Sequence, residues 1–385
     1  MLWSQGSTFT RRGVLTGLLA SSVGALAGAV AMRGGGAGKA DRVRLRPEPL
    51  AMRLHFPSKW TSPPPAVLGT IRGKLHLDED MSLSYLLHWL RVFGDGRADG
   101  PESGAAGKAL ADLLDTRRLE RRFRGPSSLV ETPYGARYLT ANPAAPKGSE
   151  PGRALHAYQA LAVFGQIGVP SSRALRISGE RHVVGDLLRD CMLNFQARES
   201  RDAEVEWAAE ALAFYLPPER SWRNRWGEEV SFDAIARFLM GRDAARCACQ
   251  GTHLLAALAA ILQAHETHAI LDPGVERQLT ARFSSIGRLL RENQRADGSW
   301  DIDWAGTAPT QYDPEPWHPV LITGHLAEFQ ALLPTSCRIP DDCLERALAY
   351  LERAVLEADA AEIAEHYCPY SHAGRMVLNW NSTDA

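Results

Sequence analysis

An all-α fold follows from three features of this chain. Helical segments of two kinds alternate along it, some apolar on every side and others with one charged face. Segments apolar all round belong inside a fold and amphipathic ones outside. No fixed repeat length spaces them, which disfavours a regular solenoid. Arg291 to Trp304 (RENQRADGSWDIDW) then ends one long helix in a tight turn that delivers a large aromatic to the next hairpin. Together these describe an α/α toroid over residues 66–385, with inner and outer helices in concentric rings and five or six hairpins nearly closing the circle.

Residues 1–32 are a targeting segment rather than part of the fold. Thr10-Arg11-Arg12-Gly13-Val14-Leu15 places paired arginines directly before an uncharged, Gly/Ala/Ser-rich run to Met32, the pattern of a twin-arginine export signal. Ala-x-Ala sites ending at Ala27, Ala29 and Ala31 offer cleavage. If retained, the apolar run is long enough to tether the protein to a membrane. Residues 33–65, opened by Gly34-Gly35-Gly36 and closed by Pro63-Pro64-Pro65, form a flexible linker that bears too little apolar surface to order alone and drapes over the body or tethers it.

Within the body, the segments apolar on nearly all sides are 81–93, 153–167, 252–264 and 320–333. The amphipathic ones are 107–119, 182–196, 275–293 and 341–357, and further helices fall at 203–215, 232–240 and 360–366. Residues 121–152 make a long Gly/Pro-rich loop. No stretch has the alternation of a sheet.

The clamp turn has a defined chemistry. Asp297-Gly298 is a strong turn signal because glycine takes positive φ without a Cβ penalty. Gln294 offers donors and an acceptor to tie off helix-end backbone, and the Trp300 indole can stack over that amide. This Gln-x-x-x-Gly-x-Trp pattern resembles the QW motif of squalene and hopene cyclases, which share an α/α toroid with protein prenyltransferase β-subunits. The resemblance covers one motif and the helical rhythm of about residues 75–380, and it speaks to fold more than to reaction. Two departures stand out. Triterpene cyclases protonate substrate with Asp-x-Asp-Asp, whereas Asp301-Ile302-Asp303 is followed here by Trp304, and no Asp-Asp-x-x-Asp magnesium motif is present. Asp301 and Asp303 therefore read as turn or capping residues, and Asp78-Glu79-Asp80 is a second acidic set.

Composition narrows the function classes. The 385 residues are 45% hydrophobic, ample for a large core, and carry 43 basic against 45 acidic residues for a net charge of -2. No basic surface for nucleic acid follows from that balance. The 10 tryptophans suit helix clamps and also hydrocarbon or carbohydrate surfaces.

Polar groups recur near the starts of the inner helices: His88, His156 with Gln159, Gly251-Thr252-His253 and Thr323-Gly324-His325. In a toroid those starts crowd one mouth of the central cavity, so His253 and His325 are expected to share a pocket. Two Cys-x-x-x-His segments are sharper still: Cys249 with His253, and Cys368 with His372. Two Cys and two His suit tetrahedral zinc, and positions four apart share a helix face. Gly251 and Pro369 argue that neither segment is fully helical. A mixed set of Cys249, His253 and His325 with Cys368 or His372 is equally open. Prenyltransferases hold zinc at the toroid mouth through Asp, Cys and His, and lanthionine cyclases through Cys, Cys and His. The Asp-x-Cys and Cys-His-Gly sequences of those families are absent, so their ligands are not carried over. Cys337 with Cys343 is a candidate disulfide in an oxidising compartment, and buried thiols are the alternative.

Glu204, Glu206 and Glu210 open a helix, where acids complement its positive end. Arg220, Trp222, Arg223, Arg225 and Trp226 form a basic–aromatic cluster in the next loop. Tyr312 to His318 and Tyr367 to His372 are two aromatic–polar loops expected at the cavity rim.

The leading expectation is an exported toroid protein of the terpenoid-cyclase and prenyltransferase type, holding a small, lipid-like or carbohydrate ligand in its central cavity. A lyase acting on acidic polysaccharide is the alternative, with His253 as base, His325 as charge stabiliser, Tyr312 as acid and Arg223 as carboxylate clamp. A non-catalytic scaffold is the third. Replacing Arg11 and Arg12 together by Lys is expected to abolish export, read by fractionating cells that express the full chain; normal export of that variant would overturn the signal assignment.

Overall fold

The computed structural model describes residues 43–57, 63–77, 81–96, 104–140, 155–198, 205–244, 247–306 and 315–378. The targeting segment 1–32, Asp78-Glu79-Asp80, Glu204 and Tyr312 lie outside the described residues. The described chain is mostly helical, as the sequence predicts. Its helices are α1 (Pro65–Lys74), α2 (Leu83–Phe93), α3 (Gly104–Leu113), α4 (Thr116–Phe123), α5 (Gln159–Gln166), α6 (Val184–Asn194) and α7 (Val205–Tyr215). There follow α8 (Phe232–Met240), α9 (Thr252–His268), α10 (Pro273–Asn293), α11 (His318–Leu332), α12 (Asp341–Glu357), α13 (Ala360–Glu365) and α14 (Tyr367–Leu378).

Packing partners run in a cycle. Helix α2 packs on α5, α5 on α7, α7 on α9, α9 on α11, α11 on α14, and α14 returns to α2. Four of these, α2, α5, α9 and α11, fall in the segments read as apolar all round, and α7 and α14 complete the cycle. Every residue of α7 is buried, and in α11 burial runs from Ile322 through Ala331 without a break. Of the remaining helices, α1, α12 and α13 lie against α14, α3 against α2, α6 against α5 and α7, and α8 and α10 against α9, while α4 packs on α3. Their burial is one-sided. In α10 only Val275, Leu279, Phe283, Ile286 and Leu290 are buried, at the three- and four-residue spacing of an apolar stripe.

Several local readings are corrected. The span 107–119 is two helices, because Asp115 intervenes and its Oδ1 accepts from the backbone N–H groups of Arg117 (2.8 Å) and Arg118 (3.2 Å), capping α4. Three short antiparallel hairpins replace stretches read as loop or helix: β1–β2 (Leu129–Thr132, Gly135–Tyr138), β3–β4 (Ala174–Ile177, Glu180–Val183) and β5–β6 (Ser221–Arg223, Glu229–Ser231). Strands this short cannot show an alternating pattern. Residues 367–372, expected as a loop, begin helix α14. Pro369 sits in its first turn, where no intrahelical N–H bond is required. The candidate Cys337–Cys343 pair is not a disulfide; both are buried thiols.

Residues 43–57 run extended across the body. Backbone N–H groups of Arg46 and Leu50 donate to the carbonyls of Tyr215 and Phe214 (both 2.8 Å), and that of His55 to Ala331 (2.6 Å). Gln263 of α9 seals the same seam, accepting from Arg53 N (3.1 Å) and donating to Arg53 O (2.6 Å) and Leu332 O (2.7 Å). No helix among the described residues is long and apolar enough to cross a membrane.

The clamp ties α10, α11 and α12 together. Gln294 Nε2 donates to the carbonyls of Gly298 (2.9 Å) and Cys343 (2.8 Å), and its Oε1 accepts from Arg346 (2.5 Å). Trp300 is fully buried. Its indole N–H donates to Leu290 O (2.7 Å), and its backbone N–H donates to Thr323 Oγ1 (2.8 Å) on α11. Trp300→Ala is expected to cost about 3–5 kcal/mol of stability, as large aromatic truncations in cores do. Trp300→Phe keeps most of the volume but leaves the Leu290 carbonyl unpaired, at about 1–3 kcal/mol. Urea midpoints at unchanged slope measure both; a Trp300→Phe variant as stable as the unaltered chain would show that the indole N–H contributes nothing.

Candidate metal centre

The approach to α9 is a strained turn. Cys249 (φ 47°), Gln250 (φ 54°) and Gly251 (φ 76°) are all left-handed. Such backbone costs roughly 1–3 kcal/mol per non-glycine residue and persists only where its surroundings enforce it. Here Trp304 Nε1 donates to the Gln250 carbonyl (3.1 Å) and Thr252 Oγ1 to the Cys249 carbonyl (2.8 Å). Glycine is required at 251 for a second reason: a Cβ there would lie 2.6 Å from that of Ala244. The turn brings the Cys249 thiol to His253, in the first turn of α9, and to His325 on α11. The three donor atoms lie within 4.8 Å of one another.

Histidines from separate helices converge on that point. Ring centroids of His253 and His325 are 4.9 Å apart, those of His325 and His372 3.6 Å, and those of His88 and His372 5.3 Å. His156, just before α5, lies 5.5 Å from His253, and Trp207 of α7 lies 4.7 Å from it. The close approach of α11 to α14 depends on Gly324, whose added Cβ would sit 2.9 Å from that of His372.

A carboxylate organises the polar groups behind the rings. Glu328 Oε2, one turn beyond His325, accepts from Arg91 Nη2 (2.9 Å) and lies 3.0 Å from His372 Nδ1. Arg375 is 3.6 Å from its other oxygen. Arg91 Nε donates to Gln166 Oε1 (2.7 Å), and Gln166 Nε2 donates to Glu210 Oε1 (2.5 Å). Burial alone would raise the Glu328 carboxyl, but Arg91 and Arg375 outweigh it and hold the group below its ordinary range. Burial wins at Glu210 and pushes that carboxyl up.

Burial is also the largest influence on the imidazoles. His253, His325 and His372 are held well below their ordinary value, by desolvation first and then by the neighbouring His325, His372 and Arg91 respectively. His88 falls to about 3, through burial and then Arg91. Neutral imidazole is the form that ligates a metal. His253 Nδ1 and His325 Nε2 are buried without a hydrogen-bond partner, as are Trp207 Nε1 and Glu328 Oε1. Buried polar atoms left this way are rare in folded proteins. Two orphaned imidazole nitrogens beside a cysteine are what a site shaped for a cation presents. Burial, and then Cys249, push the Cys368 thiol well up; only a bound cation would draw off its proton.

The residues predicted from sequence divide as follows. Cys249, His253 and His325 meet. Cys368 and His372 meet with His88 in an adjacent trio, also within 4.8 Å. The quartet Cys249, His253, Cys368 and His372 thus falls into two neighbouring sets rather than one. The segment of Cys249 is non-helical as expected, whereas Cys368 and His372 lie on continuous helix. Arg223 lies apart, exposed on β5, with Nη1 donating to Gly227 O of its own hairpin (3.3 Å). Asp301 belongs to the clamp, paired with Arg295 (2.8 Å). Glu206 and Glu210 are buried, the former paired with Arg242. Sequence reasoning misses Arg91 and Glu328, although each lies three residues beyond a flagged histidine and so on its helix face.

The buried neutral histidines set a pH dependence. Their folded values lie below the unfolded 6.5, so the unfolded chain binds protons that the folded one refuses. Stability of the metal-free protein is therefore flat above about pH 6.5 and falls as pH drops toward the folded values. Urea denaturation at stepped pH is expected to show uptake of several protons on unfolding below pH 6.5; a flat profile from there down to the pH of His88, about 3, would refute the burial of these rings as neutral bases. No protein-family model, no curated protein and no solved structure matches this chain.

Proposed function

We propose that the chain is an exported α/α-toroid protein, built like the terpenoid cyclases and prenyltransferases, that works as a metal-dependent enzyme with zinc on Cys249, His253 and His325. The cycle of inner helices and the clamp at Gln294 and Trp300 support the toroid reading. One observation carries the metal: His253 Nδ1 and His325 Nε2 are buried and unpartnered beside Cys249. One thiolate and two imidazoles are a set that zinc favours, and three protein ligands leave a fourth position for water or substrate. An ion so held lowers the pKa of a bound water or thiol, or polarises a carbonyl. Trp207 beside His253 gives the site an apolar wall, which suits a small or lipid-like substrate better than an acidic glycan. The lyase alternative needs Arg223 at the histidines, and its guanidinium is bonded to its own hairpin instead.

Elemental analysis of the purified full chain is expected to find zinc in stoichiometric amount. Cys249→Ser and His253→Gln should each weaken it by more than the roughly 10–100-fold typical of losing an outer-shell partner. Arg223→Ala should leave it unchanged. Protein that holds no metal after zinc loading, with a freely titrating thiol at Cys249, would overturn the proposal.

A further inference from the structure

Beside the proposed zinc position stands a second trio of the same composition. His88 of α2 and Cys368 and His372 of α14 place their donor atoms within 4.8 Å of one another. Cys368 and His372 are four apart on continuous helix and so share a face. Both histidines have one ring nitrogen committed. His88 Nδ1 lies 2.8 Å from the Ser84 carbonyl, and His372 Nδ1 lies 3.0 Å from Glu328 Oε2. Each partner accepts a hydrogen bond, which puts the proton on Nδ1 and the lone pair on Nε2. A ring nitrogen tied to a carbonyl or carboxylate, with the other presented, is the usual outer shell of a metal-binding histidine. The two trios are joined. The His325 and His372 rings are 3.6 Å apart, and a Glu328 oxygen lies within 4.8 Å of a nitrogen on each.

We infer that His88, Cys368 and His372 bind a second divalent cation, so that the centre is binuclear. This rests on the first site being a metal site. The geometry also ranks the two positions. Arg91 Nη1 lies 3.2 and 3.3 Å from the ring nitrogens of His372. A cation at the second trio must displace that contact and tolerate the guanidinium charge. The second ion is therefore the weaker one and leaves first. Paired cations roughly 3.5–4 Å apart clamp the attacking and leaving oxygens of a displacement, which would make the substrate a carbonyl or phosphoryl ester rather than a hydrocarbon alone.

The test is a titration of cobalt(II) into the metal-free full chain, with ions counted by elemental analysis and metal–metal scattering read by X-ray absorption. The expected result is two ions per chain, bound in two phases, with a metal–metal vector at roughly 3.5–4 Å. Cys368→Ser and His88→Gln should remove only the weaker phase, and Cys249→Ser the tighter. One ion, lost with Cys249→Ser and indifferent to Cys368→Ser and His88→Gln, overturns the second site and leaves the first. One ion lost with either cysteine variant means a single mixed site and overturns the binuclear reading. No ion in the unaltered chain removes both. The unaltered chain alone decides between none, one and two ions, so the proposal stays falsifiable even where a variant fails to fold.

Discussion

Glu328 is a carboxylate buried among the helices of the packing cycle, and much of the arrangement follows from what it needs. A charge taken out of water costs several kcal/mol unless it is paired and hydrogen-bonded. Arg91 reaches it from α2, and His372 and Arg375 from α14, while the carboxylate itself belongs to α11. Removing one partner of such a pair typically costs about 3–5 kcal/mol, whereas replacing the whole set by apolar groups is often neutral. The cluster is thus a weak reason for the cycle to be stable and a strong one for it to close in a single register. Helices α2 and α14, from opposite ends of the described chain, are brought to the same carboxylate, and the histidines one turn away meet because of it.

The clamp acts on the same centre from the other side. Trp300 fixes α11 through Thr323, two residues before His325. Trp304, four residues further along the turn, holds the carbonyl of Gln250. One short stretch therefore positions the cysteine and one of the histidines of the first trio. The left-handed backbone at Cys249 and Gln250 is strain that these bonds offset, and its effect is to aim a thiol that regular helix would point elsewhere.

Part of this is legible in the sequence. Helices 81–93, 252–264 and 320–333 stand out as inner elements because they are apolar on all sides, and that alone places His253 and His325 together. Gly251 betrays the break in helix before His253. The other parts resist for identifiable reasons. Helix α14 is buried yet carries Pro369, Ser371, His372 and Gly374, so its surface reads as a loop. Arg91 and Glu328 look like ordinary solvated charges until the cycle closes and removes their water. The grouping of His88 with Cys368 and His372 depends on the contact of α2 with α14, which no local pattern encodes. Only analogy of function groups Tyr312 and Arg223 with the histidines; nothing in their own sequence surroundings requires it.

The extended segment 43–57 has a bearing on the order of assembly. Its backbone donors are met by carbonyls of Tyr215, Phe214 and Ala331, at the ends of α7 and α11. Those acceptors emerge from the ribosome long after the segment itself, and the gap it occupies has no walls until both helices have docked. The earliest residues of the body are therefore among the last to settle. Their docking reports that α7 and α11 are both in place, so a chain with this seam zipped is one whose interior is already built.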